Sequence, residues 1–449
     1  MYSEPNVNRE SPLSSQRRTG GEVFTASSPG RMDVMGGFSD YSGGLVLQMP
    51  IANTTQVSVT LRQDFICHIH SEVIHEEPLS ISFNAEELLT QHFSIDKARL
   101  FFANEKIHWS AYVVGCALLL HYLKKIDFKG ANFQVKSNVP LGKGVSSSAA
   151  LEVATMKALA EAHQLKLKGT ELPILAQKVE NQIVGAPCGL MDQLASFHGM
   201  ANHLLPITCQ PDILHEPIAI PSQLKFVGID SGVRHAVSGA SYTDVRCAAF
   251  MGYAIIANKL GVAQSEMHAA HDSGNWTSLP FGGYLCNISV LEFTQRFHAL
   301  LPEKITGHDF IKQFGTTTDS VTTIQPDKIY SVLNCVKHPI FETERVKKFK
   351  TILENINQRG AAESHVHELG LLMYQAHAGY TSCGLNAERT DEIVSLAKQH
   401  EGIYGAKITG GGSGGTVCLL ALGEHGEESA KKIHRMMEKK YNQKLVYFG

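Results

Sequence analysis

The sequence predicts a mixed α/β fold, and three observations point to it. Residues Ala131 to Lys136 alternate like a strand and lead into the glycine- and serine-rich run Asn138 to Glu152 (N-V-P-L-G-K-G-V-S-S-S-A-A-L-E). That run opens a helical pattern in which Ala150, Val153, Ala154 and Ala158 share one face. Strand-like alternation at Gln56 to Leu61 and Phe65 to His70, and a buried-strand pattern at Phe226 to Asp230, stand beside helical patterns at Glu171 to Ile183, Phe341 to Gln358, Ala361 to Ala378 and Ala387 to Gln399. Finally, 449 residues with 43% hydrophobic content suffice for two or three domains with substantial cores.

The run Asn138 to Glu152 is the stretch around which the chain is organised. Pro140, Gly142 and Gly144 make a turn in which backbone approaches a ligand with no Cβ in the way. The serines Ser146, Ser147 and Ser148 then sit where a helix begins. A helix N-terminus carries unpaired N–H groups and the positive end of the macrodipole, which suits phosphate, and serine hydroxyls can bond phosphate or ligate Mg²⁺. The loop is not a Walker A sequence, because Gly144 follows Lys143 where Ser or Thr is required. By composition alone, a flexible loop with a serine-capped helix is the competing reading.

Forty Lys and Arg against 43 Asp and Glu give a formal net charge of −3 with no basic block, which argues against nucleic acid or membrane surfaces as partners. The nine cysteines are scattered singly, as expected of reduced thiols in a cytoplasmic protein. Residues 1–20 read as a polar tail rather than a signal peptide, and the apolar stretch Ala111 to Leu123, too short to span a bilayer, reads as a buried helix.

In chain order, a short strand Val23 to Thr25 is expected to lead into a polar loop, Ser27 to Gly44, carrying Arg31, Asp33, Asp40 and Tyr41 among turn-forming glycines. A solvated hairpin with Arg31 paired to Asp33 or Asp40 is the plainer alternative. His68 and His70 share a strand face and read, like His365 and His367, as ordinary histidines rather than metal ligands. The helical pattern from Glu171 stops at G-A-P-C-G-L-M-D-Q, residues Gly185 to Gln193, where Asp192 lies among Cys188, Leu190 and Met191. A partly desolvated carboxylate there can act as a base, or simply cap the next element. Gly261 to Lys337 is expected to be loops and short helices. Ala406 to Leu422 reads as two strands joined by Gly410–Gly415 with Ser413 among them, either a close-approach turn for a ligand or a tight hairpin.

Taken in order, the three glycine-containing segments resemble the signature motifs of the GHMP small-molecule kinases, in the branch of galactokinases and plant L-arabinokinases. V-R-H (Val233 to His235), Y-L-C-N-I (Tyr284 to Ile288) and K-H-P-I (Lys337 to Ile340) add to the likeness, which runs from about Ser28 to Leu420. The resemblance implies two lobes, an N-terminal lobe at 21–222 and a C-terminal lobe at 223–449, with ATP and substrate meeting between them. It implies that Asp192 and Arg31 are catalytic, with Arg31 near the transferring phosphoryl group. Gly142, Lys143, Gly144, Val145, Ser146, Ser147, Ser148 and Ala149 would form the phosphate loop, and Lys407, Gly411 and Gly412 the third motif packed against it. Ser148 and Glu180 would be Mg²⁺ ligands, and Gly37, Asp40, Gly189 and Tyr242 would lie at the sugar beside Arg31 and Asp192.

One departure from the family pattern bears on substrate. Galactokinases read G-E-H-x-D-Y where this chain has Gly36, Gly37, Phe38, Ser39, Asp40 and Tyr41, and the missing Glu is the one that meets the galactose C6 hydroxyl. L-Arabinopyranose is that ring without the hydroxymethyl group, and Phe38 is expected to make the corner apolar. A substrate hydroxyl left unpaired in a buried pocket costs about 1–3 kcal/mol. The reading is therefore an ATP- and Mg²⁺-dependent sugar 1-kinase for L-arabinose, as a monomer or weak oligomer. The alternatives are a galactokinase and a kinase-like sensor that binds sugar and nucleotide without turnover.

Overall fold

A computed structural model describes residues 21–74, 76–90, 94–234, 240–360 and 362–449. The N-terminal stretch 1–20, His235 of the V-R-H triplet and Ala361 at the head of one helical pattern lie outside the described residues. The chain folds as two compact units. The first comprises the described residues up to Arg31 together with Ile51–Leu141 and Ser146–His198, and the second comprises Met32–Pro50, Gly142–Val145 and Gly199–Gly449.

In the first unit the strands are ordered Leu79–Asn84, Ile66–Val73, Gly130–Ser137 and the later half of Leu45–Arg62. Ile66–Val73 runs parallel to Gly130–Ser137, with Ile69 opposite Phe133, while Thr55 to Arg62 pairs antiparallel with Gly130–Ser137. Alternation places Ala131, Phe133 and Val135 inward on the central strand. They join the buried helix Ala111–Lys124, apolar nearly all round as its sequence suggests, and the helix Ser147–Ala162 in one core.

The second unit has a four-stranded antiparallel sheet ordered Ile403–Ile408, Thr416–Leu422, Leu224–Asp230 and Tyr447–Phe448. Helices Glu388–Ala397 and Gly423–Tyr441 contribute Ile393, Val394, Ile433 and Met437 to the core on this sheet. A second core gathers the helices Ala240–Lys259, Val332–Arg359 and Glu363–Ser382 around Tyr253, Val336 and Tyr380. Strand His203–Thr208 pairs with Leu45 to Gln48.

Three sequence readings are corrected. The expected polar loop from Ser27 is strand as far as Met35, because Met32, Val34 and Met35 are buried, and only the residues after Met35 turn. The helix expected from Phe341 begins nine residues earlier, at Val332, and carries Pro339 inside it. The helix from Glu171 changes to a π-helical turn over Val179–Val184, and Glu180 sits in that turn. Insertions of this kind recur at functional sites. Among the described residues no helix is long and apolar enough to cross a membrane, no group of three or more His, Cys, Asp and Glu is placed to hold a metal, and all nine cysteines are free and buried.

Candidate active site

In the first unit, Arg31 and Asp192 form a two-point ion pair, with Nε donating to Oδ1 at 2.8 Å and Nη2 donating to Oδ2 at 2.9 Å. Arg31 is almost wholly buried, whereas the Asp192 side chain keeps 20% of its surface exposed. The planar fork of a guanidinium fixes a carboxylate's orientation in a way a lysine does not. Asp192 is the second residue of the helix Met191–His198, where the macrodipole favours negative charge.

Ser146 completes this group by donating from Oγ to Asp192 Oδ2 at 2.6 Å. It immediately precedes the helix Ser147–Ala162, at φ +58°, in the left-handed region that a non-glycine residue occupies at a cost. Ser147 and Ser148 are half-buried on the first turn, and Ala149 is in the core behind them. Gly189 is half-buried in the segment between Gly185 and Asp192.

The Ser148 side chain is hydrogen-bonded to Glu180. Burial pushes Glu180 up to about 7, partly opposed by the Ser148 bond. Gln193 Nε2 donates to Glu180 at 2.7 Å and to Glu152 at 3.2 Å, and the Cys188 thiol donates to Glu180 at 3.3 Å. Glu152 is completely buried, and burial followed by the charge of Glu180 drives its carboxyl far above the usual range. A buried carboxyl beside a serine hydroxyl offers hard-oxygen donors of the kind Mg²⁺ takes.

In the second unit the glycine turn and the third motif are packed together. Thr416 Oγ1 donates to the Lys143 carbonyl at 2.8 Å, and a Cβ at Gly144 (φ +71°) would come within 3.3 Å of the Thr409 carbonyl. Lys143 Nζ lies 2.8 Å from buried Asp230. Val145 is buried, and Gly142 is half-buried at φ +67°. Gly411 is half-buried, and Gly412 (φ +80°) is pressed against Leu385 and Tyr380.

Lys407 is placed differently from the sequence expectation. It is fully buried and its Nζ donates to Asp33 Oδ2 at 2.6 Å and to the Asp33 carbonyl at 3.1 Å, so its charge is spent inside the fold and not offered to a phosphate. Asp33 also accepts from Gln48 at 2.7 Å, and its N–H donates to Thr409 Oγ1 at 2.6 Å. Lys407 therefore ties the strand of the first motif to the strand that leads into the third.

Phe38 is also placed differently. It lies in the core at φ +46°, stacked on His338 at 3.7 Å and edge-on to Tyr380 at 4.6 Å, so it does not line an apolar corner for substrate. Gly37 is buried and its carbonyl accepts from His338 Nε2 at 3.1 Å, while the Gly36 N–H donates to buried Glu342 at 3.0 Å. Asp40 and Tyr242 are buried, with Tyr41 6.2 Å from Tyr242. Arg246, held by Asp319 at 2.9 Å and lying against Tyr41, feels the charge of Asp40 as well. Glu342, Arg246 and Tyr380 carried no sequence signal that separated them from ordinary helix and strand residues.

Residues 111–200 match the GHMP kinases N terminal domain, residues 353–443 the GHMP kinases C terminal domain, and residues 16–61 the galactokinase galactose-binding signature. The chain belongs to the GHMP kinase family. It is 39% identical to L-arabinokinase of Arabidopsis thaliana over 93% of its own length, and spans 44% of that longer protein. It is 30% identical to galactokinase of Chloroflexus aggregans, covering 90% of this chain and 85% of the relative. A crystal structure of Lactococcus lactis galactokinase complexed with galactose superposes with a TM-score of 0.71 at 20% identity, over 95% of this chain and 92% of that one, a likeness of fold.

Proposed function

We propose that this protein is an ATP-dependent sugar 1-kinase that transfers the γ-phosphoryl group to the anomeric hydroxyl of a monosaccharide, with L-arabinose as its substrate. The observation that carries the reading is the Arg31–Asp192–Ser146 group, a partly exposed carboxylate oriented by two donors beside the first turn of a helix. Phosphoryl transfer asks for alignment and charge neutralisation more than covalent help. Asp192, already bonded to Arg31 and Ser146, has acceptor capacity left to take or aim the proton of the sugar hydroxyl. Arg31 brings fixed positive charge to the same point, and the N–H groups of the first helical turn are donors for phosphate oxygens.

Ser148 and Glu180 would hold Mg²⁺, which when bound supplies charge neutralisation to the nucleotide phosphates. Lys143, Gly142 and Gly144 would shape the nucleotide side of the loop, with Gly411 and Gly412 supporting it. Asp40, Tyr242 and the Gly37 backbone would face the sugar. The substrate assignment is supported by the greater identity to the L-arabinokinase than to the galactokinase and by the glycine at position 37.

The test is sugar-dependent ADP release by the purified protein with Mg²⁺, coupled to identification of the product. Formation of L-arabinose 1-phosphate is expected. Binding of both sugar and nucleotide with no turnover would establish the sensor reading in its place.

A further inference from the structure

We propose that Tyr380, on the helix Glu363–Ser382, is a specificity-determining residue: it fills the place where a side chain at position 37 would begin, and so keeps a carboxylate out of the turn Gly36 to Asp40. The inference rests on the reading of that turn as sugar-facing. A Cβ at position 37 would stand 1.7 Å from Tyr380 Oη and 2.9 Å from its Cζ, with Asp33 Oδ2 at 2.5 Å. Real Cβ atoms essentially never approach heavy atoms so closely, so a side chain at 37 requires the tyrosine, the nearest of these groups, to move and the Asp33 carboxylate to shift with it.

Tyr380 is not free to leave. It is wholly buried, its hydroxyl donates to the Gly410 carbonyl at 2.6 Å, and its ring packs edge-on against Phe38. Phe38 is itself clamped by His338, and the Lys407 ammonium stands 5.4 Å from the Tyr380 ring centre. The glycine at 37 is thus one half of a pair. A pyranose without a C5 hydroxymethyl group loses nothing where position 37 brings no side chain, whereas a hexopyranose lacks there the carboxylate acceptor that a glutamate would supply for its extra hydroxyl. This exclusion lies in a buried helix residue 343 positions along the chain from Gly37.

The test compares wild type, G37E, Y380L and G37E/Y380L as full-length chains, measuring kcat/KM for L-arabinose and D-galactose. Leucine removes both tyrosine atoms that meet the Cβ while keeping apolar bulk. G37E alone is expected to lose activity on both sugars. In G37E/Y380L the galactose-to-arabinose ratio should rise at least about 10-fold over wild type, the scale on which a paired hydroxyl discriminates. A folded double variant with the wild-type ratio, or a G37E single variant that shifts the ratio just as far, would overturn the proposal.

A second arm needs no substrate. G37A and G37A/Y380L are compared by soluble yield and melting temperature, and Y380L should restore part of what G37A loses. Equal loss in both backgrounds would overturn the exclusion. Wild type preferring galactose would instead remove the sugar assignment and leave this arm to decide the Gly37–Tyr380 pair by itself.

Discussion

At the scale of single residues, the account turns on side chains whose charge or shape has one structural outlet. Asp192 is clamped by Arg31 and Ser146, so D192N keeps the shape and removes the charge and full acceptor capacity. Turnover should fall by about 10²-fold or more, the usual scale for general acid–base groups, with the melting temperature close to wild type. Steady-state ADP release checks this, and near-normal turnover would take Asp192 out of the mechanism. The Lys407–Asp33 pair is fully buried on both sides. Removing one partner leaves an uncompensated charge, so K407M should cost about 3–5 kcal/mol in denaturant unfolding. His338 is buried against Phe38 and beside Arg345, and burial holds its pKa well below the ordinary 6.5. The unfolded chain therefore takes up the proton first, and stability is present above about pH 6.5 and lost as pH falls below it. Relative to H338Q, wild type should lose up to about 1.4 kcal/mol per pH unit between 6.5 and 5.5, seen in unfolding curves at several pH values.

At the scale of elements, the glycine turn shows both what sequence reasoning reaches and where it stops. Gly144 at φ +71° sits against the Thr409 carbonyl, so G144A strains the backbone and presses on the third motif. We expect a loss of about 1–2 kcal/mol of stability and a raised KM for ATP with a smaller change in the KM for sugar, measurable by initial-rate kinetics. This strand, turn and helix were legible because period-two alternation, two glycines and a run of helix formers each carry a local signal. The stretch Ser27 to Met35 was not, because Pro29, Gly30, Arg31 and Asp33 read as a polar loop while their burial depends on partners far along the chain. Arg31 and Asp33 find theirs at Asp192 and Lys407, 161 and 374 residues away. Pro339, which costs a helix one backbone hydrogen bond, is carried inside a helix that the core residues Val332, Val336 and Ile340 sustain. Phe38 was visible as a departure from a motif, but its stacking on His338 lay outside any local pattern.

At the scale of the whole molecule, each unit has its own packing, and the run Asn138 to Glu152 is divided in sequence, Gly142–Val145 counting with one unit and the residues before and after with the other. The chain crosses from unit to unit near Arg31, Pro50, Leu141, Val145 and His198, so single-domain truncations at any one of those points separate segments that share a core. The proposed preference for L-arabinose rests on the missing side chain at Gly37. Measuring kcat/KM for L-arabinose and D-galactose side by side, by ADP release at saturating ATP and Mg²⁺, tests it most directly. The account predicts a preference for L-arabinose of about 10-fold or more, the scale of one unpaired buried hydroxyl. A clear preference for D-galactose would contradict it.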